Sequence, residues 1–279
     1  MAFLNGMINR FVQNEPALGT IVECGNYWAA RAAGDSAADF ALVDMEHLNF
    51  SFPDLGNTLQ WFLGRGNATR AQFPATPIVR IPPNAAERNQ WIPKQVLDYG
   101  AFGIVLPHAC HPADVEAMVE AMRYPQGPKG SGPSGHRGLL HRQAMRYWGI
   151  KDNEEWFERA DLWPLNPKGE LLLVLLVEEV TAWENIEQLV AVPGVGAVLW
   201  GPGDGSLSIG NRSLDMGNPE LESYRQHVVG ACRAAGVPVG NPFARNLRES
   251  VDQGFGFHCM QQWDRVQAAD VREYSAAKR

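Results

Sequence analysis

The sequence predicts an α/β protein in which eight parallel strands and the helices between them close into one (β/α)8 TIM barrel. Three observations favour this fold. The chain has 279 residues, and such a barrel typically takes about 250. Short aliphatic runs alternate with longer segments of helical pattern along the chain. Several of these runs are apolar almost throughout, as is typical of strands that are buried on both faces of a parallel sheet.

Eight strands are predicted from the aliphatic and β-branched runs. They are 19–24, 39–44, 77–81, 103–107, 171–178, 195–200, 237–240 and 255–260. The main alternative is an open, doubly wound sheet. No GxGxxG motif follows the first strand to support that alternative.

Helical patterns lie between the strands, at 87–98, 112–123, 181–191, 219–235 and 245–253. Pro112 stands in the first turn of its helix, where its missing N–H costs nothing. The segment beginning at Thr181 reads Thr-Ala-Trp-Glu, which has the spacing of a capping box.

Residues 125–170 form the irregular part of the chain, and we interpret them as a loop or lid inserted into a single domain of residues 1–279. The insert is rich in aromatic residues, which could line a pocket for a bulky acceptor. We favour the simpler interpretation, in which they pack into a core of their own. The aromatic residues are Tyr147, Trp148, Trp156, Phe157 and Trp163.

Composition restricts the partners and the compartment. The formal net charge of -7 argues against nucleic acid or an anionic membrane as the main partner. The longest apolar run, 171–177, is too short to cross a bilayer, and the first residues lack the apolar core of a signal peptide. The four cysteines form no CxxC pair. We therefore expect a reduced, soluble, cytoplasmic protein.

Polar side chains collect where successive predicted strands end, which is where barrel enzymes carry their chemistry. A single acidic residue after a strand is more often a helix cap than a ligand, but here the pattern extends over strands 1 to 6. The residues are Glu23, Asp44, Glu46, His47, Arg80, His108, Glu178, Glu179 and Asp204.

Two of these carboxylates predict a metal site. Glu178 ends an apolar run, where a carboxylate is costly to bury unless it is paired or binds a cation. Asp204 lies in the sequence GPGDGS, whose glycines let backbone amides approach a ligand closely. No His or Cys is adjacent to either residue, so we expect an oxygen site that suits Mg²⁺ or Mn²⁺. Glu179 is expected to point to the other side, because side chains alternate along a strand.

The lysines argue against a Schiff-base aldolase, which needs a lysine in an apolar pocket. None of the five lies on a predicted strand; they are Lys94, Lys129, Lys151, Lys168 and Lys278. A metal ion would then have to supply the electrophile that stabilises an enolate.

The motifs resemble those of the HpcH/HpaI aldolases, which are class II pyruvate aldolases of the phosphoenolpyruvate/pyruvate superfamily. The resemblance extends from about residue 18 to 265, with the motifs in the family's order. They are VDMEH at 43–47, VRIP at 79–82, LDYGAFGIVLPH at 97–108, RYPQG and HRG within 123–138, LLVEEVTAWENI at 175–186, VPGVGAVLWGPGDGS at 192–206 and GF at 254–255.

The resemblance implies roles for individual residues. Glu178 and Asp204 match the family's metal ligands, and the backbone amides of Gly203 and Asp204 match the pair that holds the pyruvate carboxylate. Arg80 matches the arginine that clamps this carboxylate, and His47 matches the catalytic histidine of the DxEH motif.

Two aspartates complete the implied catalytic set. Asp44 matches the first residue of DxEH. Asp98 matches the aspartate that raises the basicity of the catalytic histidine from a neighbouring subunit. The resemblance accordingly implies a homo-oligomer, a hexamer built as a trimer of dimers, with the C-terminal helix swapped between subunits.

Three departures from the family pattern affect the pocket. A leucine of the family's GPxDLS motif is Gly205, a glutamine two residues before the metal glutamate is Leu176, and a tryptophan at the end of strand 1 is absent, with Glu23 nearby. We expect metal and pyruvate recognition to be kept and the pocket for the second substrate to be remodelled.

The resemblance implies a divalent-metal-dependent lyase (Mg²⁺, Mn²⁺ or Co²⁺) that reversibly cleaves a 4-hydroxy-2-oxo acid to pyruvate, or a close 2-oxo acid, and an aldehyde. Arg80 would neutralise enolate charge, and His47, tuned by Asp98, would move the proton through a water molecule. One alternative is an oxaloacetate decarboxylase. An acyl-CoA lyase would need a cationic surface that the lysine-poor loops scarcely offer. A non-catalytic binding barrel is disfavoured by the retained metal pair and by Arg80 and His47.

Overall fold

The computed structural model describes residues 3–63, 75–127 and 132–278. Its eight strands are parallel and hydrogen-bonded in chain order, and β8 pairs with β1 to close the barrel. The strands are β1 (Ala17–Glu23), β2 (Phe40–Asp44), β3 (Thr76–Arg80), β4 (Gly103–Leu106), β5 (Leu172–Val177), β6 (Val195–Trp200), β7 (Val239–Asn241) and β8 (Phe257–Met260). The predicted barrel is confirmed, and the open-sheet alternative is wrong.

Helices surround the barrel and fill its connections. They are α1 (Gly6–Val12), α2 (Tyr27–Gly34), α3 (Phe52–Trp61), α4 (Trp91–Tyr99), α5 (Pro112–Met122), α6 (Arg142–Tyr147), α7 (Asn153–Arg159), α8 (Val180–Glu184), α9 (Ile186–Val190), α10 (Pro202–Ser208), α11 (Pro219–Ala235), α12 (Leu247–Asp252) and α13 (Arg265–Ala277). The predicted helices at 112–123 and 219–235 match α5 and α11 to within one residue.

The capping box predicted at Thr181 is wrong. Helix α8 begins at Val180, so Thr181 lies inside it, and the residue before the helix, Glu179, makes no side-chain cap hydrogen bond. The predicted helix 181–191 is also divided, because α8 ends at Glu184 and α9 starts at Ile186.

The two-residue period of the strands decides which side chains enter the barrel. Val174 and Leu176 of β5 pack in the interior cluster, so the carboxylate of Glu178 continues the inward row at the carboxyl end. On β2, Leu42 is interior, and Asp44 follows it at the same spacing. We call this carboxyl end of the barrel the mouth.

The opposite end of the barrel is covered by α1. The Asn5 side chain caps this helix by accepting from Met7 N and Ile8 N, and the Asn5 backbone N–H donates to Glu170 Oε2 at 2.9 Å. Gly6 N donates to Thr76 Oγ1 at 2.7 Å. This end is therefore held by polar contacts that do not involve the mouth.

The insert packs against the side of the barrel, although its residues 128–131, which include Lys129, lie outside the described residues. The ring of Trp148 stacks on Phe102 with 4.1 Å between centroids, and the Tyr147 hydroxyl donates to Leu59 O. Trp156 is fully buried. These three residues of the insert pack into the buried cluster around the barrel rather than into a core of their own, and Phe157 is partly exposed.

The last helix, α13, packs on its own chain, where Ala268 and Val271 meet Leu18, Leu247 and Met260. An exchange of this helix between subunits stays a prediction. Across the described residues, no helix combines the length and the apolar character that spanning a bilayer demands.

Candidate active site

Arg80 lies at the end of β3 directly opposite Asp44 of β2 in the strand register. Its Nε donates to Asp44 Oδ1 at 2.9 Å and its Nη2 to Asp44 Oδ2 at 2.7 Å. The third nitrogen, Nη1, forms an ion pair with Glu46 Oε2 at 3.0 Å. Two carboxylates therefore orient a guanidinium at the mouth, as bidentate arginine pairs do.

Glu46 lies at the centre of the mouth, with a side chain only 2% exposed. Its Oε2 is 3.5 Å from His47 Nε2, and its Oε1 is 4.0 Å from His108 Nε2. Burial raises the pKa of Glu46, and the charges of Arg80, His47 and His108 oppose this rise. No role was predicted for Glu46 from the sequence, although it stands two residues after Asp44.

His47 is the most open of these groups, with 60% of its side chain exposed. It is therefore accessible to a substrate that enters the mouth. At the mouth, the Nε2 atom of His47 lies 3.5 Å from Glu46 Oε2.

Glu178 is buried, with 4% of its surface exposed. Its Oε1 has no hydrogen-bond donor within the described part of the chain. Burial raises its pKa to about 8; repulsion from Glu46 and Asp204 adds to the rise, and His108 and Arg80 oppose it. A buried carboxylate in this state is stabilised when a cation comes to it.

Gly201 makes room for this carboxylate. A Cβ atom at Gly201 would lie 2.4 Å from Glu178 Cβ, so a larger residue would displace the glutamate.

His108 also reaches the mouth from β4, and the sequence analysis gave it no role. Its Nε2 lies 3.8 Å from Glu178 Oε1, so the expectation that no histidine stands beside the carboxylates is wrong. Its Nδ1 lies 2.7 Å from Glu179 Oε1. Glu179 therefore does not simply point away, because β5 has ended at Val177 and strict alternation ends with it.

Asp204 lies in the first turn of α10, close enough to Glu178 for the two charges to interact. Gly203 is half-buried and has open space where a side chain would be. The departure at Gly205 has a physical reason: a Cβ there would lie 2.2 Å from the ring of Trp183. Trp183 fills the volume that a leucine would take behind this loop.

The other two departures from the family pattern are Leu176 and Glu23. Leu176 is buried in the barrel interior, two residues below Glu178. Glu23 is exposed at the end of β1.

Asp98 is separate from these residues. It lies near the carboxyl end of α4, which leads into β4 and so faces the end of the barrel opposite the mouth. Its carboxylate accepts from Arg137 Nη2 at 3.1 Å, and burial raises its pKa against the charge of Arg137. Within one chain it is therefore not brought to His47.

A cavity of about 1040 Å³ opens beside Gly203. Apolar side chains, such as Phe243, line it together with charged and amide side chains, such as Arg225, Arg245 and Gln261. This volume has the size of a small-molecule site.

Known proteins resemble this chain over most of its length. The family model described as HpcH/HpaI aldolase/citrate lyase matches residues 24–255. A 2-dehydro-3,6-dideoxy-6-sulfogluconate aldolase from Pseudomonas putida is 31% identical over 80% of this chain and 76% of its own length. A hydroxypyruvate/pyruvate aldolase from Paraburkholderia phytofirmans is 27% identical over 91% of this chain and 90% of its own.

A solved structure is similar over almost the whole length. The HpcH/HpaI aldolase/citrate lyase family protein from Burkholderia cenocepacia has a TM-score of 0.75 and 26% identity, and the match covers 98% of each chain. With a family model that matches residues 24–255 and with aldolases among its relatives, this chain is a lyase that belongs to the HpcH/HpaI aldolase/citrate lyase family.

Proposed function

We propose that the protein is a metal-dependent aldolase that reversibly cleaves a 4-hydroxy-2-oxo acid into pyruvate, or a close 2-oxo acid, and an aldehyde. The observation that carries this proposal is the buried Glu178 Oε1, which no described residue satisfies; the negative charge of the exposed Asp204 adds to the electrostatic cost of this carboxylate. Acceptor oxygens in such a setting fit a divalent cation, Mg²⁺, Mn²⁺ or Co²⁺. When bound, the ion would polarise the carbonyl of the 2-oxo acid.

The arginine supplies the second positive charge. Asp44 and Glu46 hold the Arg80 guanidinium in one orientation, so little reorganisation is needed when negative charge develops on the 2-oxo acid. The backbone amides of Gly203 and Asp204 would bind the carboxylate of this acid. Together they would favour the enolate that forms when the C3–C4 bond breaks.

We assign the transfer of the 4-hydroxyl proton to His47. In cleavage, the exposed imidazole would remove the proton of the 4-hydroxyl group, the C3–C4 bond would break, and the aldehyde would leave through the open side. The protonated imidazole of His47 would then give this proton to C3 of the enolate, which yields the 2-oxo acid. In the direction of synthesis the same residue returns the proton.

The lysines support a metal rather than a Schiff base. Of the lysines in the described residues, none lies on a barrel strand; they are Lys94, Lys151, Lys168 and Lys278. The cavity beside Gly203 offers space for the aldehyde portion, and its mixed apolar and polar lining is suited to an acceptor larger than formaldehyde.

A panel of aldehydes with pyruvate or hydroxypyruvate tests the proposal in the presence of Mn²⁺. Turnover should disappear on chelation and return with Mg²⁺, Mn²⁺ or Co²⁺, and Glu178→Ala should lose both turnover and metal. Glu184→Ala, on the exposed side of α8, is the matched control and should keep both. Metal-independent turnover, or a substrate–lysine adduct trapped by borohydride, would contradict the proposal.

A further inference from the structure

His108 is held at the mouth in an unfavourable backbone conformation. It follows β4 with a φ of 56°, in the left-handed region that a non-glycine residue rarely adopts. Such a conformation is strained and persists where the surroundings require it. The conformation turns the imidazole toward the carboxylates that end β5.

One nitrogen of this imidazole is already engaged. Nδ1 lies 2.7 Å from Glu179 Oε1, and an ionised carboxylate can only accept, so Nδ1 carries the proton and donates it. In the neutral ring, Nε2 then bears a lone pair. A carboxylate that fixes the tautomer of a histidine in this way is the usual companion of a metal-binding imidazole.

The other nitrogen faces two buried carboxylates. Nε2 is 3.8 Å from Glu178 Oε1 and 4.0 Å from Glu46 Oε1, distances that are too long for hydrogen bonds. Glu46 Oε2 faces Arg80, so its Oε1 is the oxygen left toward His108. The nitrogen and one oxygen of each glutamate lie within 4.8 Å of one another.

The three groups need a common partner. Within the described residues, neither Glu178 Oε1 nor Glu46 Oε1 receives a hydrogen bond, and both side chains are at least nine-tenths buried. Three acceptors that converge in a buried position repel one another unless a cation lies among them.

We propose that His108 Nε2 binds the metal ion together with Glu46 and Glu178, so that the ion has a nitrogen ligand and the site prefers Co²⁺ to Mg²⁺. The inference rests on the proposed metal dependence and deepens it by naming further ligands and the class of ion. Glu178 would then be a ligand in both sets, the one with Glu46 and His108 and the pair with Asp204. Imidazole nitrogen suits first-row transition ions, whereas Mg²⁺ is bound mainly through oxygen.

The affinities of Co²⁺ and Mg²⁺ for the metal-stripped full chain, measured by isothermal titration calorimetry at one pH, test the proposal. In His108→Gln, the Co²⁺ affinity should fall by about tenfold or more, while the Mg²⁺ affinity changes by less than about threefold. Glu179→Ala should lower the Co²⁺ affinity by a smaller factor. His111→Gln removes an exposed imidazole three residues away and should leave both affinities unchanged.

A direct readout uses Mn²⁺ and protein labelled with ¹⁵N-histidine. Pulsed electron paramagnetic resonance should detect a directly bound nitrogen in the wild type and in His47→Gln, and should lose it in His108→Gln. A nitrogen signal that persists in His108→Gln, or an unchanged ratio of Co²⁺ to Mg²⁺ affinity, would overturn the assignment.

These outcomes are separable from those of the proposed function. Nitrogen ligation without turnover on any aldehyde would contradict the aldolase and leave His108 as a ligand. Metal-dependent turnover with no bound nitrogen would do the reverse.

Discussion

Arg80 donates two parallel hydrogen bonds to Asp44, from Nε at 2.9 Å and from Nη2 at 2.7 Å, across neighbouring strands of the barrel. The third nitrogen of Arg80, Nη1, is directed toward Glu46, so two carboxylates fix the planar guanidinium from two sides. An ammonium group on a flexible stem could satisfy one of these contacts but could not reproduce their common plane.

Arg80→Lys should therefore lose far more rate than substrate affinity, because the oriented charge matters most when the enolate forms. We expect kcat to fall by roughly 10²–10³-fold, as on removal of one such group from an active site, and KM to change much less. Steady-state kinetics on the true substrate measure both. Arg272→Lys, whose side chain pairs with Asp39 away from the mouth, should behave as the wild type. Near-normal kcat in Arg80→Lys would show that the role is misassigned.

His47→Ala should lose the contribution of a general base, a fall of roughly 10²–10⁴-fold in kcat. The affinity for metal should change little, because His47 is not among the proposed ligands. Titration calorimetry with Mn²⁺ checks this second part. The control is His141→Ala, a half-buried histidine of the insert that contacts Asn153. Retention of turnover in His47→Ala would remove this residue from the mechanism.

Asp98 predicts an oligomer in which each site draws on two chains. Because Asp98 lies away from the mouth of its own barrel, it could assist only a neighbour's His47. Light scattering should report an oligomer, and co-expressed Asp98→Asn and His47→Ala chains should form hybrids with more activity than either variant alone.

The matched control is co-expression of Arg80→Lys with His47→Ala, whose defects fall in the same site of each chain and should not complement. An active monomer, or failure of the first pair to complement, would contradict the shared site.

Because His258 is buried, we expect the folded protein to lose stability in mild acid. Burial between β8 and α12, where its Nδ1 lies 3.2 Å from Ser250 Oγ, lowers its pKa from 6.5 to about 4. Between these values the unfolded chain binds a proton that the folded chain does not, so the free energy of unfolding falls as the pH falls from 6.5 to 4. The loss attributable to this group is about 3 kcal/mol over that interval.

Denaturant titrations of the wild type and of His258→Gln at several pH values measure this slope, which should be shallower in the variant whatever its absolute stability. His227→Gln removes a half-exposed histidine and should leave the slope intact. Identical slopes in wild type and His258→Gln would contradict the prediction.

The strands were predictable because a parallel barrel buries each strand on both faces. Each strand therefore consists almost entirely of apolar residues, as in Leu172–Val177. The inward direction of Asp44, Arg80 and Glu178 follows from the same two-residue period. Helix boundaries were less predictable: Thr181 and Glu184 have the spacing of a cap, but the turn begins one residue earlier.

The environment of the site could not be predicted in the same way. His108 reaches Glu178 because its backbone takes a left-handed turn after β4, so the alternation of that strand does not continue to the imidazole. Glu179 contacts the same imidazole for the same reason. Glu46 stood beside His47 in the sequence, but its burial depends on Arg80 from another strand.

The contact between Gly205 and Trp183 couples the residues that these two positions can hold. A Cβ at position 205 would overlap the indole ring at 2.2 Å, and the ring is fixed by a hydrogen bond from Nε1 to Val177 O and by stacking on Trp200. A leucine therefore cannot return to position 205 while the indole remains. The two positions are therefore coupled: a leucine at position 205 requires a smaller residue at position 183, and a smaller residue there opposite Gly205 leaves a cavity behind the loop.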